Sequence, residues 1–195
     1  MENETSPNLP SSIAYLHDFA TFGIMLQHHT TNMSEKIVRE ISLIADKAAV
    51  WEALINPEKT RLFMFNCTVD TDWKPGSKLQ WKGNCQGYKC SERGTVLESE
   101  PGRRLKYTSF DPNFGLEDKK ENYLHMPYDL KEAGNGTILI TTIENFNGDT
   151  ERTKHNAGGW DGIVLPALKN LFPYAALLFL SSPIADFFSL LILFP

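Results

Sequence analysis

Five histidines and three cysteines are the side chains here best suited to moving protons, attacking carbonyls or holding metals. Their spacing limits what they can do. His125 falls in an alternating stretch with Tyr123 on the same face, where an imidazole can serve as a general base. A lone strand histidine is more often a surface residue. His155 and Asp161 sit too far apart round a helix for the pairing made by residues three or four apart. His28-His29 reads as a loop pair rather than a metal site. Cys67, Cys85 and Cys90 form an odd set with no CxxC, so neither a disulfide framework nor a zinc ribbon is indicated. Cys85 and Cys90 flank a glycine turn across which they could approach; reduced, half-buried thiols in a cytosolic protein are the simpler expectation. The chain contains no GxSxG elbow, HExxH or Walker loop. No catalytic residue, metal ligand or cofactor is therefore assigned.

Charge excludes another class. All 19 Lys and Arg residues lie between Lys36 and Lys169, and all but five of the 24 acids share that stretch, leaving it close to neutral. With no basic stripe to neutralise phosphates, nucleic acid is not an expected partner.

The elements that must position any site follow from periodicity and turn chemistry. Glu35–Leu43 alternates and predicts a strand. Asp46 is a helix N-cap for Lys47–Ile55, which Asn56-Pro57 ends, and Pro57 opens a second short helix over Glu58–Phe63. Strands are expected at Phe65–Thr71, Lys78–Lys82, Tyr88–Ser99 (bent at Gly94) and Arg103–Phe110, with Trp73-Lys74-Pro75-Gly76 as a turn. Asp111–Lys120 reads as a polar loop. Asn122–Leu130 and Thr137–Asn145 form a hairpin around Gly134-Asn135-Gly136. Residues 150–172 place Trp160, Ile163, Val164, Leu165, Leu168 and Leu171 at the spacing of a long amphipathic helix. Gly158-Gly159 within it permits close approach to the sheet or a kink. The expected class is α+β: a curved antiparallel sheet wrapped around a long C-terminal helix, with two short helices after the first strand.

That order is the helix-grip order, and specific segments tighten the match. Ile44-Ala45-Asp46 followed by residues 50–58, then Pro75-Gly76-Ser77, residues 94–101, residues 104–108, Gly136-Thr137 and Gly158-Gly159-Trp160 occur in sequence. Together they resemble the Hsp90-ATPase-activator-like branch of the START/Bet v 1 (SRPBCC) superfamily over residues 34–172. The resemblance implies a cavity between sheet and helix for an apolar or amphipathic small molecule. Its candidate lining is Trp81, Val96, Tyr107, Ser109, Leu139, Thr141, Trp160 and Val164, with plain core packing the alternative for each. Tyr107, Ser109 and Thr141 would put polar tips inside it. A non-enzymatic binding domain is the favoured expectation. A chaperone-regulating protein-interaction module and a cyclase- or hydrolase-type enzyme stand as alternatives.

Both ends depart from the resemblance. Residues 1–33 hold no Lys or Arg and read as a weakly ordered extension, with Met33 a candidate natural start. Residues 173–195 form a hydrophobic tail whose only charge is Asp186. Each Leu, Ile or Phe favours membrane insertion by about 0.3–0.6 kcal/mol against roughly 2.5–3.5 kcal/mol for one central Asp. A membrane anchor, an altered reading frame and a packed segment all fit this tail; Pro173 and Pro183 weigh against an unbroken spanning helix.

Overall fold

The computed structural model describes residues 34–173 apart from Gln86 and Gly87. The expectations for residues 1–33, including His28-His29, and for the tail beyond Pro173 lie outside the described residues. Strand β1 (Glu35–Leu43) leads into α1 (Lys47–Ile55) and α2 (Pro57–Phe63). Seven strands follow: β2 (Thr68–Asp70), β3 (Lys78–Cys85), β4 (Tyr88–Cys90), β5 (Arg93–Glu100), β6 (Arg104–Ser109), β7 (Leu124–Ala133) and β8 (Gly136–Asn145). The described residues close with α3 (Thr150–Gly159), a π turn (Trp160–Val164) and α4 (Leu165–Asn170), in unbroken succession.

The sheet order is β1-β8-β7-β6-β5-β3-β2, with β4 paired to β3, and every pairing is antiparallel. A register shift between Val96 and Glu98 bulges β5 against β6, and such bulges bend and twist a sheet. One face is buried: Leu105, Tyr107 and Ser109 point inward from β6, and Leu139 and Ile143 from β8. Leu165, Leu168 and Val164 of the terminal helical run enter the same core. The opposite face carries ion pairs; Arg104 binds Glu98 at 2.6 Å and Asp129 at 2.6 Å, joining three strands.

Local chemistry explains the boundaries. Asp46 accepts from Ala49 N at 2.7 Å to cap α1, and Asn56 accepts from Glu58 N to cap α2, with Pro57 in its first turn. Phe65 and Asn66 both adopt left-handed φ (51° and 56°), which a strand cannot accommodate. The expected strand at 65–71 therefore shrinks to three residues. Ser77 N donates to Lys74 O, and Gly76 has φ 91°, so the expected turn is displaced one residue along the chain. The expected strand at 88–99 keeps one register along β3 but is interrupted at Ser91-Glu92, not bent at Gly94. Gly94 serves a different need, because a Cβ there would lie 1.6 Å from Thr108 O on β6. Two short 3-10 turns, Pro112–Phe114 and Lys120–Asn122, order the loop before β7.

The π turn has a cause in sequence. In a regular helix the Pro166 ring would collide with the Gly162 carbonyl and leave it without a donor. Widening the turn, so that Leu165 N bonds Trp160 O five residues back, relieves this.

These two glycines make opposite predictions. Gly94→Ala must push backbone apart and should cost about 1–3 kcal/mol. Gly158→Ala meets nothing within 4 Å and should gain up to about 1 kcal/mol of helix propensity. Urea midpoints measure both, and an unchanged Gly94→Ala midpoint would contradict the strand approach.

Candidate functional site

Between the inward face of the sheet and the helical run lies a partly enclosed cavity of about 330 Å³. This falls at the small end of ligand pockets, roughly 300–1,000 Å³. Its floor is Trp81 of β3, Tyr107 and Ser109 of β6, and Leu124 and Met126 of β7. Its roof is His155, Asn156, Gly159, Trp160 and Ile163, and its rim is Met64 and Phe65 on one side and Phe114 on the other. Phe114 meets His155 edge-on at 5.5 Å, so the loop and helix touch at the rim.

The polar end is built by strand register. Arg93 and Phe110 exchange two backbone hydrogen bonds of 3.0 and 2.8 Å. The next residues outward, Glu92 and Asp111, therefore stand opposite one another. Trp81 N donates to Glu92 O at 2.8 Å, and Gln80 pairs with Arg93, so Trp81 faces Glu92 from the other side. Residues opposed in a sheet share a face, so Trp81, Glu92 and Asp111 form one row across three strands. All three line the cavity.

Ser109 Oγ donates to Glu92 Oε2 at 2.6 Å, and Glu92 Oε1 makes no hydrogen bond to the described residues. Burial pushes the Glu92 carboxyl above its ordinary range; the Ser109 bond opposes this and the Asp111 charge reinforces it. Glu92 retains some exposed area, which fits a carboxyl surrounded by protein and bordering a cavity. Asp111 accepts from Asn113 N and Nδ2, both at 2.9 Å. Cys67 and Cys90 also border the cavity, and neither forms a disulfide. Burial raises the Cys90 thiol, and a hydrogen bond with Cys67 and the Glu92 charge raise it further. Cys90 lies opposite Gly83 on β3, which Cys67 approaches closely.

The eight residues singled out from sequence divide into two groups. Trp81, Tyr107, Ser109 and Trp160 stand on the cavity wall. Val96, Leu139, Thr141 and Val164 do not; each is at most 2% exposed and belongs to packed interior. The reason is a run of aromatic rings. Trp73, Tyr107, Tyr128 and Trp160 contact in succession, with centroids 6.1, 5.7 and 5.4 Å apart, and fill the interior beside the cavity. Tyr107 and Tyr128 spend their hydroxyls on each other at 2.8 Å, and burial raises both phenols. Thr141 Oγ1 is buried with no hydrogen-bond partner among the described residues. Ile163, expected in the core, is 48% exposed at the cavity edge.

His125 points away from the cavity. Its neighbours Leu124 and Met126 face the cavity, whereas its own ring meets Phe146 at 4.8 Å, and burial lowers its pKa. Asp161 pairs with Arg39 of β1 through two 2.7 Å hydrogen bonds, not with His155. Sequence reasoning missed Glu92 and Asp111. For Asp111 a signal existed: it continues the Tyr107, Ser109 alternation by two residues. Glu92 had none, standing between Ser91 and Arg93 without periodicity.

Glu92 generates a prediction with a definite sign. An acid whose pKa is raised by folding holds its proton more tightly folded than unfolded. Stability then falls as pH rises from the ordinary carboxyl range through the raised value. Glu92→Gln keeps an acceptor for Ser109 and removes the charge. Its stability should lose this pH dependence and exceed the parent's at the alkaline end, each kcal/mol regained raising Tm by about 2–4 °C. Parallel melting curves from pH 4.5 to 8 would refute the buried-acid assignment.

With this geometry in place, comparisons identify the domain. The model of the family described as activator of Hsp90 ATPase homolog 1-like protein matches residues 45–172. No curated protein matches the chain. Among solved structures, the solution structure of ChR145 from Cytophaga hutchinsonii is 33% identical, covering 70% of this chain and 92% of its own, with a TM-score of 0.59. CalU16 from Micromonospora echinospora shares the fold at 19% identity, 74% and 80% coverage and a TM-score of 0.56. The Aha1 dimer from Colwellia psychrerythraea does so at 16% identity, 73% and 98% coverage and a TM-score of 0.56. The sheet, the helical run and the matched residues together place this chain in the activator of Hsp90 ATPase homolog 1-like family.

Proposed function

We propose that the domain is a binding module that holds an amphipathic small molecule between sheet and helix. The observation that carries this reading is the cavity, apolar over most of its wall and polar at one end. Such a division suits a ligand that buries its body and orients itself by one polar group. Family membership is consistent with small-molecule or protein binding in general.

A second reading, cyclase- or hydrolase-type catalysis in the same cavity, draws on one observation. Glu92 stands opposite Asp111, and a carboxyl raised by burial is the kind of group that donates and recovers protons. Binding alone requires that a ligand leave chemically unchanged; catalysis requires conversion.

The test uses the full chain, native mass spectrometry and thermal melts against a panel of lipophilic probes. Ligand at a hundredfold excess over Kd stabilises by about 2.7 kcal/mol, or roughly 5–10 °C in Tm. Met126→Trp should fill the floor of the cavity and abolish both the retained mass and the shift. Equal binding by parent and filled variant would put the ligand elsewhere. Turnover of a bound probe, lost in Glu92→Gln, would favour the enzyme.

A further inference from the structure

Resting on the cavity reading above, we infer that the ligand has a body of about two rings, and that the hydrogen-bonded pair Tyr107 and Tyr128 fixes this length. Volume sets the scale. A dry cavity of about 150 Å³ holds one benzene ring. The cavity here, at about 330 Å³, has room for two.

The inward face of the sheet is longer than the cavity it carries. Val96 stands opposite Tyr107 and Thr141 opposite Tyr128, so both point to the same side as the two rings. Both are nonetheless sealed in packed interior and take no part in the cavity wall. The ring pair stops the open space short of them. Tyr107 belongs to the floor, Tyr128 stacks behind it at 5.7 Å, and Trp160 of the roof closes on Tyr128 at 5.4 Å.

Two features make this a firm stop rather than a yielding one. The hydroxyls of Tyr107 and Tyr128 bond each other at 2.8 Å, so swinging either ring aside strands a buried polar group. Trp73 and Trp81 also hold the Tyr107 ring, with centroids 6.1 and 6.5 Å away. Strand geometry then orients the occupant. Ser109 lies about 6–7 Å beyond Tyr107 along β6, toward the loop that carries Phe114 to the rim. The Glu92–Ser109 bond therefore marks the outer end of the cavity and Tyr107 the inner end. A ligand enters rings first and leaves its polar group beside Ser109.

Three alcohols of increasing length test this on the full chain: benzyl alcohol, 2-naphthylmethanol and 2-anthracenylmethanol. The second ring should tighten binding at least about tenfold, because it buries about four more carbons. The third should add less than about threefold, because the inner end offers it no space. Combining Tyr107→Val with Tyr128→Phe removes the stop without leaving a buried hydroxyl unpaired. In that variant the third ring should add at least about tenfold. Retained binding of 2-naphthylmethanol shows that the variant is folded. A third ring worth tenfold in the parent overturns the length assignment and leaves the cavity reading intact. So does a third ring worth no more in the folded variant than in the parent. Nuclear Overhauser contacts between the far ring of 2-naphthylmethanol and Tyr107 in the parent need no variant; their absence from the bound complex also overturns the assignment. Binding of none of the three alcohols overturns it together with the cavity reading.

Discussion

Two backbone hydrogen bonds between Arg93 and Phe110 hold the polar end of the cavity in register. They continue the β5–β6 pairing past the end of β6 and set Glu92 against Asp111. The same two residues also act through their side chains on the opposite face. Arg93 binds Asp118, whose other oxygen accepts from Tyr123, and Phe110 stacks on Tyr123 at 5.1 Å. The loop between β6 and β7 is thereby fastened at both ends, and Phe114 within it is brought to the cavity rim. One short bridge thus positions the acid row, the loop and the rim together.

What the bridge creates is costly to keep. The Glu92 carboxyl bordering an apolar cavity gives up hydration, and its one serine hydrogen bond recovers only part of it. The surrounding core must offset the difference. It does so with the aromatic run from Trp73 to Trp160 and with inward residues that have no exposed surface, such as Val96 and Leu139. Dense packing on one side of Tyr107 and open space on the other are complementary: the stack that excludes Thr141 from the cavity also fixes its floor. Two of the three left-handed non-glycine residues follow the same logic, since Phe65 is at the rim and Trp73 is in the stack.

The elements were legible because each rests on local chemistry. Asp46 and Pro57 announced two helix starts, Pro75-Gly76 a turn, and alternation the strands of the hairpin around Gly134. Boundaries slipped where a tertiary demand overrode local pattern. Phe65 has every mark of a strand residue, yet its backbone turns left-handed to deliver its ring to the cavity. The site was half legible for a similar reason. The family resemblance points to an inward-facing lining, and four of its residues, Trp81, Tyr107, Ser109 and Trp160, stand on the cavity wall. A resemblance cannot say where packing stops, and Val96, Leu139, Thr141 and Val164 lie in packed interior. Glu92 was invisible because its position depends on pairing with strands distant in sequence, which no local window contains.

The terminal helix brings both kinds of information together. Pro166 forces the π turn by a rule visible in sequence, whereas the use made of that turn is tertiary. Extra width at residues 160–164 resets the helix phase, so Trp160 stays over Tyr128 while Ile163 is released to the cavity edge and Asp161 reaches Arg39. Just before it, Gly159 lacks the Cβ that would come within 3.2 Å of the Phe65 ring, whereas Gly158 faces open space. Only one glycine of the pair is required by contact, and it is the one beside the strained Phe65. The helix, the rim and the left-handed turn after α2 therefore form a single fitted arrangement. A side chain at Gly159 would be felt at the mouth of the cavity before it was felt in the core.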